Sequence, residues 1–217
     1  MIEIINLSKK YKNKIIIDSS SFRINTNKVS FIMGPNGSGK TTLVKCIMGL
    51  ESYSGQIIFN NSSNNSLVVW DDCPFYNNLS GIKNLILFSE GKIDKKNIIN
   101  LSLKYLDNDL LNRKVKHYSY GQKKKLALAL VEILKPKYLI MDEISNGLDY
   151  DTIKILKSRI KQWANNTTIL LTGHQFDFYN DIIDEVFILK NNKILSLDNK
   201  YTKEGINLED IYDKELH

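Results

Sequence analysis

The sequence predicts an α/β fold in which a parallel sheet carries helices on its faces. Apolar strand-like segments alternate with amphipathic helical segments in the second half of the chain, a pattern typical of parallel sheets with covered faces. A glycine-rich loop near the N-terminus lies between a predicted strand and a predicted helix. Residues 82–111 have a helical pattern and form a small insertion between these two parts.

Composition and charge narrow the class of protein. The 217 residues are 42% hydrophobic and 25% charged, which is enough for one sizeable core. The formal net charge is +6, but the lysines are scattered, so charge gives little support to nucleic-acid binding. The longest apolar run, residues 126–131, falls far short of the roughly 20 residues that cross a bilayer. Two cysteines in different contexts and no signal-peptide pattern lead us to expect a cytoplasmic protein.

The first part of the chain reads as short strands. Four are predicted between Lys, Asn, Ser or Gly residues, at 2–6, 15–18, 29–33 and 56–60. Asn27 precedes the third strand, and a tight turn is predicted there because Asn tolerates a left-handed backbone. A helix should begin at Gly39 or Lys40 and run to about Met48, where Gly49 ends it.

The alternation of strands and helices resumes beyond the insertion. A strand at 68–70 leads into the insertion, and the elements predicted after it are helix 121–134, strand 138–141, helix 152–164 and strand 168–171. Strands at 186–189 and 194–197 flank Asn191 and Asn192. Paired Asn residues suit the positive φ angles of a two-residue turn, so the last two strands should form a hairpin.

The glycine-rich loop has the composition of a phosphate-binding loop. Residues 34–41 read G-P-N-G-S-G-K-T and fit G-x-x-x-x-G-K-[ST]. In such a loop, successive backbone N–H groups and the helix N-terminus face a phosphate. Lys40 would supply a compact positive charge and Thr41 a Mg²⁺ ligand. The predicted nucleotide-binding residues here are Gly34, Pro35, Asn36, Gly37, Ser38, Gly39, Lys40, Thr41 and Thr42.

An apolar strand ends in two adjacent carboxylates, Asp142 and Glu143. From a strand end, Asp142 can reach Mg²⁺, whereas Glu143 points toward a water that attacks the γ-phosphate. We therefore predict that Asp142 is a metal ligand and that Glu143 is the catalytic carboxylate.

A further helix start lies before that strand. Ser119 suits an N-cap, and Gly121 permits close backbone approach in front of a helix dipole that favours an anion. From the residues alone, an ordinary helix cap is the simpler interpretation of this segment.

Taken in order, these motifs resemble the ATP-binding subunit of ABC transporters over nearly the whole chain. The resemblance implies a P-loop NTPase core with a mixed sheet, an antiparallel β subdomain and a small helical insertion, all within one domain. Residues 1–71 and 119–200 would form the nucleotide-binding core. Residues 72–118 would form the helical subdomain, and residues 201–217 would carry a short C-terminal helix.

The same resemblance implies roles for individual residues. The positions similar to family motifs are Tyr11 for adenine stacking, Ser119, Gly121 and Gln122 for the signature that contacts ATP, residues 146–149 for the D-loop, and His174 for the catalytic switch histidine. By itself, Tyr11 would be read as a packed strand-edge aromatic residue, and a lone His is usually structural. Their places in the ordered motif set favour the functional roles.

The chain departs from the family pattern at four places, which are Asp71 for a usual Gln, Tyr118 and Tyr120 in the signature, Ile144 for Pro, and Lys125 for a frequent Arg. An acid at position 71 can still hold Mg²⁺ or its water. Asp71 is therefore a predicted metal ligand together with Thr41 and Asp142. The acid and residues 74–81 after it resemble exporters of the bacitracin and lantibiotic type.

The resemblance implies an ATP-hydrolysing subunit of a membrane transporter, with export of a peptide, antibiotic or other small molecule favoured over import. ATP and Mg²⁺ would be its cofactors. Its partners would be an integral membrane permease, which holds it at the inner face of the membrane, and a second identical or different ATPase subunit, with no direct nucleic-acid contact.

The alternative is a non-transport ABC ATPase acting on nucleic acid or the ribosome, but the chain lacks a long coiled-coil insertion and a second cassette. A P-loop kinase or GTPase lacks support because the guanine-reading motif [NT]-K-x-D is absent after the phosphate loop.

Overall fold

The computed structural model describes residues 1–60, 65–197 and 207–216. The strands are β1 (Ile2–Tyr11), β2 (Lys14–Ile24), β3 (Val29–Met33), β4 (Ser54–Phe59), β5 (Ser66–Val69), β6 (Tyr138–Asp142), β7 (Thr168–Thr172), β8 (Glu185–Lys190) and β9 (Lys193–Ser196). The helices are α1 (Lys40–Ile47), α2 (Gly81–Phe88), α3 (Lys95–Ser102), α4 (Asn108–Asn112), α5 (Tyr120–Leu134), α6 (Tyr150–Ala164), α7 (Phe176–Tyr179) and α8 (Leu208–Leu216). A short 3-10 helix covers Val115–His117.

The strands form two sheets. One is antiparallel, in the order β2-β1-β4. The other has the order β5-β6-β7-β3-β8-β9, with all neighbours parallel except the antiparallel pair of β8 and β9. The predicted fold class, an α/β core with a mixed sheet and an antiparallel β subdomain, is confirmed.

The six-stranded sheet separates two hydrophobic cores. On β3, Phe31 and Met33 point into the core that includes α5, α6 and the helical insertion. Ile32, between them, points into the other core, which α1 and the antiparallel sheet share. Successive side chains of a strand point to opposite faces of its sheet. Since a core covers each face, all five residues of β3 are buried. Strands of this kind read as continuous apolar runs, as predicted for a sheet covered on both faces.

Turns predicted from asparagine are confirmed, but two strands are longer than predicted. Asn27 has φ 55°, and Asn191 and Asn192 have φ 49° and 61° in the hairpin between β8 and β9. β1 and β2 continue past their predicted ends. Near those ends lie Asn6 and Ser19, at φ 49° and 39°, where the pairing of the two strands is irregular. Such irregularities interrupt the alternation of apolar and polar residues that marks a strand.

The helical insertion consists of three short helices. Ser80, Asp94 and Asp107 each accept a hydrogen bond from a backbone N–H in the first turn of α2, α3 and α4, respectively. These N-caps explain why the helical pattern is divided, since each cap begins a new helix. α2 and α3 pack against α5, and α4 packs against α2.

The division of the chain into a nucleotide-binding core, a helical subdomain and a C-terminal segment stays a prediction. Parts of these predicted ranges lie outside the described residues, at 61–64, 198–206 and 217. α8 begins at Leu208, whose N–H donates to Asn180 Oδ1 at 2.8 Å. Among the described helices, none combines the length and apolarity needed to cross a membrane.

Candidate functional site

The predicted site residues follow the carboxyl ends of parallel strands. The glycine-rich loop follows β3, Glu143 follows β6, His174 follows β7 and Asp71 follows β5. Because these strands are neighbours in one parallel arrangement, their carboxyl ends meet at the same edge of the sheet. A cleft of about 580 Å³ opens there, and its lining includes Thr41, Lys45, Asp71, Asp142 and Glu143.

The loop after β3 is shaped by a glycine and a lysine. Gly39 has φ 113°, and a Cβ atom there would lie 2.5 Å from Ile16 Cγ2, so a side chain does not fit. Lys40 Nζ donates to the carbonyl oxygens of Gly34 at 2.7 Å and Pro35 at 3.1 Å. Burial lowers the pKa of Lys40, while the charges of the carboxylates nearby act in the opposite direction. Thr41 and Thr42 lie in the first turn of α1.

The donor set fits a nucleotide phosphate with its metal ion. Ser38 Oγ is buried and has no hydrogen-bond partner among the residues described. A hydroxyl in a loop at a helix N-terminus is placed to bind a phosphate oxygen. Thr41 Oγ1 donates to Asp142 Oδ2 at 3.0 Å. Hydroxyl and carboxylate oxygens are the hard ligands that Mg²⁺ prefers, so Thr41 and Asp142 are together at a suitable metal position.

The carboxylate of Asp142 is held on both oxygens. Thr41 donates to Oδ2, and the hydroxyl of Thr172, on the neighbouring strand β7, donates to Oδ1. Asp142 is 6% exposed, and a buried carboxylate requires such partners. The two threonines therefore fix its orientation toward the cleft.

Glu143 stands at a strained position beside the cleft. Its φ is 52°, and its N–H donates to Thr172 O at 3.1 Å. Asn146 Nδ2 donates to Glu143 Oε2 at 2.8 Å, and His174 Nε2 lies 3.4 Å from Oε1. Burial, and then the positive charge of Lys40, hold the pKa of His174 below its ordinary value, so the imidazole is neutral at pH 7. Asn146 and His174 thus contact one carboxylate oxygen each.

Asp71 links the cleft to α5. Its Oδ1 accepts from Lys124 Nζ at 3.0 Å, from the Tyr120 hydroxyl and from Asn146 Nδ2 at 3.5 Å. Burial by itself would raise the pKa of Asp71, but the hydrogen bonds from Tyr120 and Lys124 outweigh it and lower that pKa. A contact of Asp71 with a metal ion would therefore fall to Oδ2.

The signature residues form a helix cap. Ser119 Oγ accepts from the Gln122 N–H at 3.2 Å, and Gln122 Oε1 accepts from the Ser119 N–H at 2.8 Å, which is a complete capping box. A Cβ atom on Gly121 would lie 2.6 Å from Gly147 O, so the close approach predicted at Gly121 is made to the loop after β6. None of the three signature residues lines the cleft described above, and their contact with ATP stays a prediction.

Tyr11 ends the strand β1 and is 41% exposed. Lys9 Nζ lies 4.5 Å from the centroid of its ring. The partner strand β2 carries Ile16, which contacts the loop at Gly39. This places Tyr11 in the sheet that supports the loop, and its stacking on adenine stays a prediction.

Two residues of the site were not predicted from the sequence, Thr172 and Lys124. Lys124 belongs to a run of three lysines, which suggests a solvated helix face. Its side chain is instead fully buried. The available signal was helical spacing, because Lys124 lies four residues before Leu128, a core residue.

Comparison with known proteins agrees with this geometry. A family model described as ABC transporter matches residues 17–146. The lantibiotic transport ATP-binding protein SrtF of Streptococcus pyogenes is 31% identical, over 100% of this chain and 97% of that protein. The tungstate uptake system ATP-binding protein TupC of Campylobacter jejuni is 32% identical, over 92% of this chain and 64% of TupC.

A solved structure of an ATP-binding subunit of an ABC transporter shares the fold. It superimposes with a TM-score of 0.89 at 22% identity, and the match covers 100% of both chains. The family model and the similarity to SrtF confirm the resemblance predicted from the motifs. The chain belongs to the ABC transporter family, as an ATP-binding subunit with ATPase activity.

Proposed function

We propose that this chain hydrolyses ATP to drive the export of a peptide, an antibiotic or another small molecule through a separate permease. The observation that carries the proposal is the similarity to a lantibiotic transport ATP-binding protein, which extends over 97% of that relative. The similarity to a tungstate uptake protein covers only 64% of that relative. The acidic residue Asp71, at the cleft, further supports the comparison with exporters of peptide antibiotics.

The loop residues would bind the phosphates of ATP. Ser38 Oγ and the backbone N–H groups of the loop provide neutral donors, and Lys40 provides the positive charge. Mg²⁺, when bound by Thr41 and Asp142, would neutralise charge that develops on the β- and γ-phosphate oxygens. Lys40 would exchange its carbonyl partners for phosphate oxygens, which make stronger, charge-assisted hydrogen bonds.

Glu143 would orient and polarise the attacking water. Because Asn146 holds one carboxylate oxygen and His174 lies beside the other, the carboxylate has a defined direction toward the cleft. A carboxylate in this position accepts the proton of the water as it attacks. The neutral His174 can donate a hydrogen bond without protonating Glu143.

ABC ATP-binding subunits work with membrane permease components. We propose that a permease holds this chain at the inner face of the membrane and carries the binding site of the transported molecule. The experiment is to purify the chain with its bound membrane protein and to measure transport of a fluorescent antimicrobial peptide in inside-out vesicles. Export predicts ATP-dependent accumulation inside these vesicles.

The control is the same complex carrying Glu143→Gln, which should show no accumulation. ATP-dependent loss of preloaded peptide from inside-out vesicles would indicate import and contradict the proposed direction. Recovery of the chain with ribosomes or nucleic acid in place of a membrane protein would contradict the transport function itself.

Replacing Asp71 by Ala should weaken ATP binding more than ADP binding. Asp71 is proposed to assist Mg²⁺ and to sense the γ-phosphate, since it lines the cleft beside Thr41 and Asp142. We expect roughly a tenfold higher Kd for Mg-ATP, the size of one lost charge-assisted contact, and reduced coupling to transport. Asp109→Ala, at an exposed position of α4 outside the cleft, is the matched control. Unchanged Mg-ATP affinity together with unchanged transport would refute this role.

The signature residues are proposed to complete the ATP site of a second subunit. The N–H groups at the start of α5 can face an anion that arrives from outside the chain, whereas the chain's own loop after β3 would hold its ATP from the other side. Two head-to-tail subunits would then share two ATP sites. Hydrolysis would require this dimer, which is either homomeric or heteromeric.

Mixing two inactive variants tests the shared site. Lys40→Ala removes the loop cation, and Ser119→Arg blocks the signature. In their heterodimer one site carries both defects, while the other joins an intact loop to an intact signature. Random pairing makes about half of the dimers heterodimers, each with one intact site, so we expect ATPase activity to reappear on mixing at about a quarter of the wild-type value for two independent sites. Full activity of Ser119→Arg alone, or activity per molecule that does not fall on dilution, would refute the shared site.

A further inference from the structure

Lys124 is a buried lysine whose partners belong to three different parts of the site. Its side chain is 0% exposed, although it lies in the second turn of α5. The ammonium donates to Glu143 O at 2.6 Å and to Asp71 Oδ1 at 3.0 Å, and it lies 4.8 Å from the Tyr120 ring centroid. A buried ammonium is unfavourable unless it is paired and hydrogen-bonded, so these contacts explain its burial.

The contact with Glu143 is made at a strained point of the backbone. A residue with a side chain is unfavourable at φ 52° and persists there only when its surroundings hold it. The N–H of Glu143 is held by Thr172 O at 3.1 Å. Its carbonyl is held by Lys124 Nζ and, at 3.3 Å, by the Asn146 N–H. The peptide groups on both sides of the Glu143 Cα are therefore fixed, and with them the direction of its carboxylate.

We propose that Lys124 is a positioning residue that holds Glu143 in the conformation required for hydrolysis. The proposal rests on the proposed role of Glu143 as the residue that activates water. Asp71 anchors the ammonium from the opposite side and thereby joins the loop after β5 to the loop after β6. Tyr120 donates to the same Asp71 oxygen and covers the ammonium with its ring.

Lys124→Met tests the proposal because it keeps the length and the apolar stem of the side chain and removes the ammonium. We expect kcat for ATP to fall between about 10- and 100-fold, which is the effect of a misdirected catalytic group. The KM for ATP should stay within about threefold, since the phosphate contacts lie on the loop after β3. Lys123→Met, one residue earlier and partly exposed, should retain wild-type kcat.

A second variant separates positioning from charge neutralisation. If Lys124 served only to neutralise Asp71, Asp71→Asn would restore kcat in the Lys124→Met background. We expect instead that the double variant stays about tenfold or more below Asp71→Asn alone. Restored kcat in the double variant, or a kcat of Lys124→Met within twofold of wild type, would overturn the proposal.

Loss of fold is distinguished by melting temperature and ATP affinity, which should both be retained in Lys124→Met. A parallel loss of stability, ATP affinity and kcat would indicate a general structural role and overturn the proposal.

Lys124→Gln is the second variant if Lys124→Met does not fold, because Gln keeps a shorter hydrogen-bond donor. We expect Lys124→Gln to lower kcat by about fivefold, and an unchanged kcat in this variant would overturn the proposal. Turnover retained by Glu143→Gln would refute the proposed role of Glu143 itself. If Glu143→Gln is inactive while Lys124→Met keeps wild-type kcat, only the proposed role of Lys124 is refuted.

Discussion

Replacing Glu143 by Gln should produce a protein that binds ATP with normal affinity and does not turn it over. The amide preserves the shape of the side chain, and its oxygen can still accept from Asn146 Nδ2, which now donates to Glu143 Oε2 at 2.8 Å. The amide cannot take a proton from the attacking water. General-base catalysis contributes about 10²- to 10⁴-fold, so we expect kcat to fall at least 100-fold.

Phosphate release and an ATP titration on the same preparation provide the measurement. Glu209→Gln, at an exposed position near the start of α8, is the matched control and should behave as wild type. If two subunits share their ATP sites as proposed, the Glu143→Gln variant should also stay dimeric in ATP, since hydrolysis is what would separate the subunits. Turnover at the wild-type rate would show that another group activates the water.

The shape of the glycine-rich loop after β3 was predictable because its determinants are local. The glycines at positions 37 and 39 adopt φ 75° and 113°, angles that other residues rarely reach. The lysine and threonine directly after them begin α1, as the motif requires. Asn27, Asn191 and Asn192 were predictable for the same reason, since a left-handed backbone is a preference of the residue itself.

The length of β1 and β2 was not predictable from local pattern. The pairing of the two strands is irregular near two non-glycine residues with positive φ, Asn6 and Ser19. Ser21 Oγ accepts from the Asn6 N–H at 2.8 Å, and Ser8 Oγ accepts from the Ser19 N–H at 2.9 Å. These serines replace backbone partners across the irregular pairing, and a polar run in the sequence does not reveal that role.

The network around Asp71 was predictable only in part. The position of Asp71 in the cleft follows from the end of β5, but its partners Tyr120, Lys124 and Asn146 come from α5 and from the loop after β6. Whether a lysine is buried depends on whether tertiary partners offset its desolvation. The run of lysines in α5 carries no information about Glu143, so the sequence could not assign Lys124.

Replacing Lys40 by Ala should abolish tight ATP binding while leaving the fold intact. Lys40 is the side-chain cation of the loop, and burial has already removed part of its hydration. It would exchange two carbonyl partners for oxygens of the β- and γ-phosphates. A hydrogen bond to a charged group contributes about 1.5–3 kcal/mol, so the loss of two corresponds to at least about a 100-fold higher Kd for ATP.

A nucleotide series makes this test specific for the phosphates. The loss of affinity in Lys40→Ala should be largest for ATP, smaller for ADP and smallest for AMP, because AMP lacks both phosphates that Lys40 would contact. Lys154→Ala, an exposed lysine on α6, should bind all three as wild type does. An equal loss for all three nucleotides would point to a collapsed loop, since Lys40 also holds Gly34 and Pro35. Near wild-type ATP affinity would show that this loop is not the phosphate site.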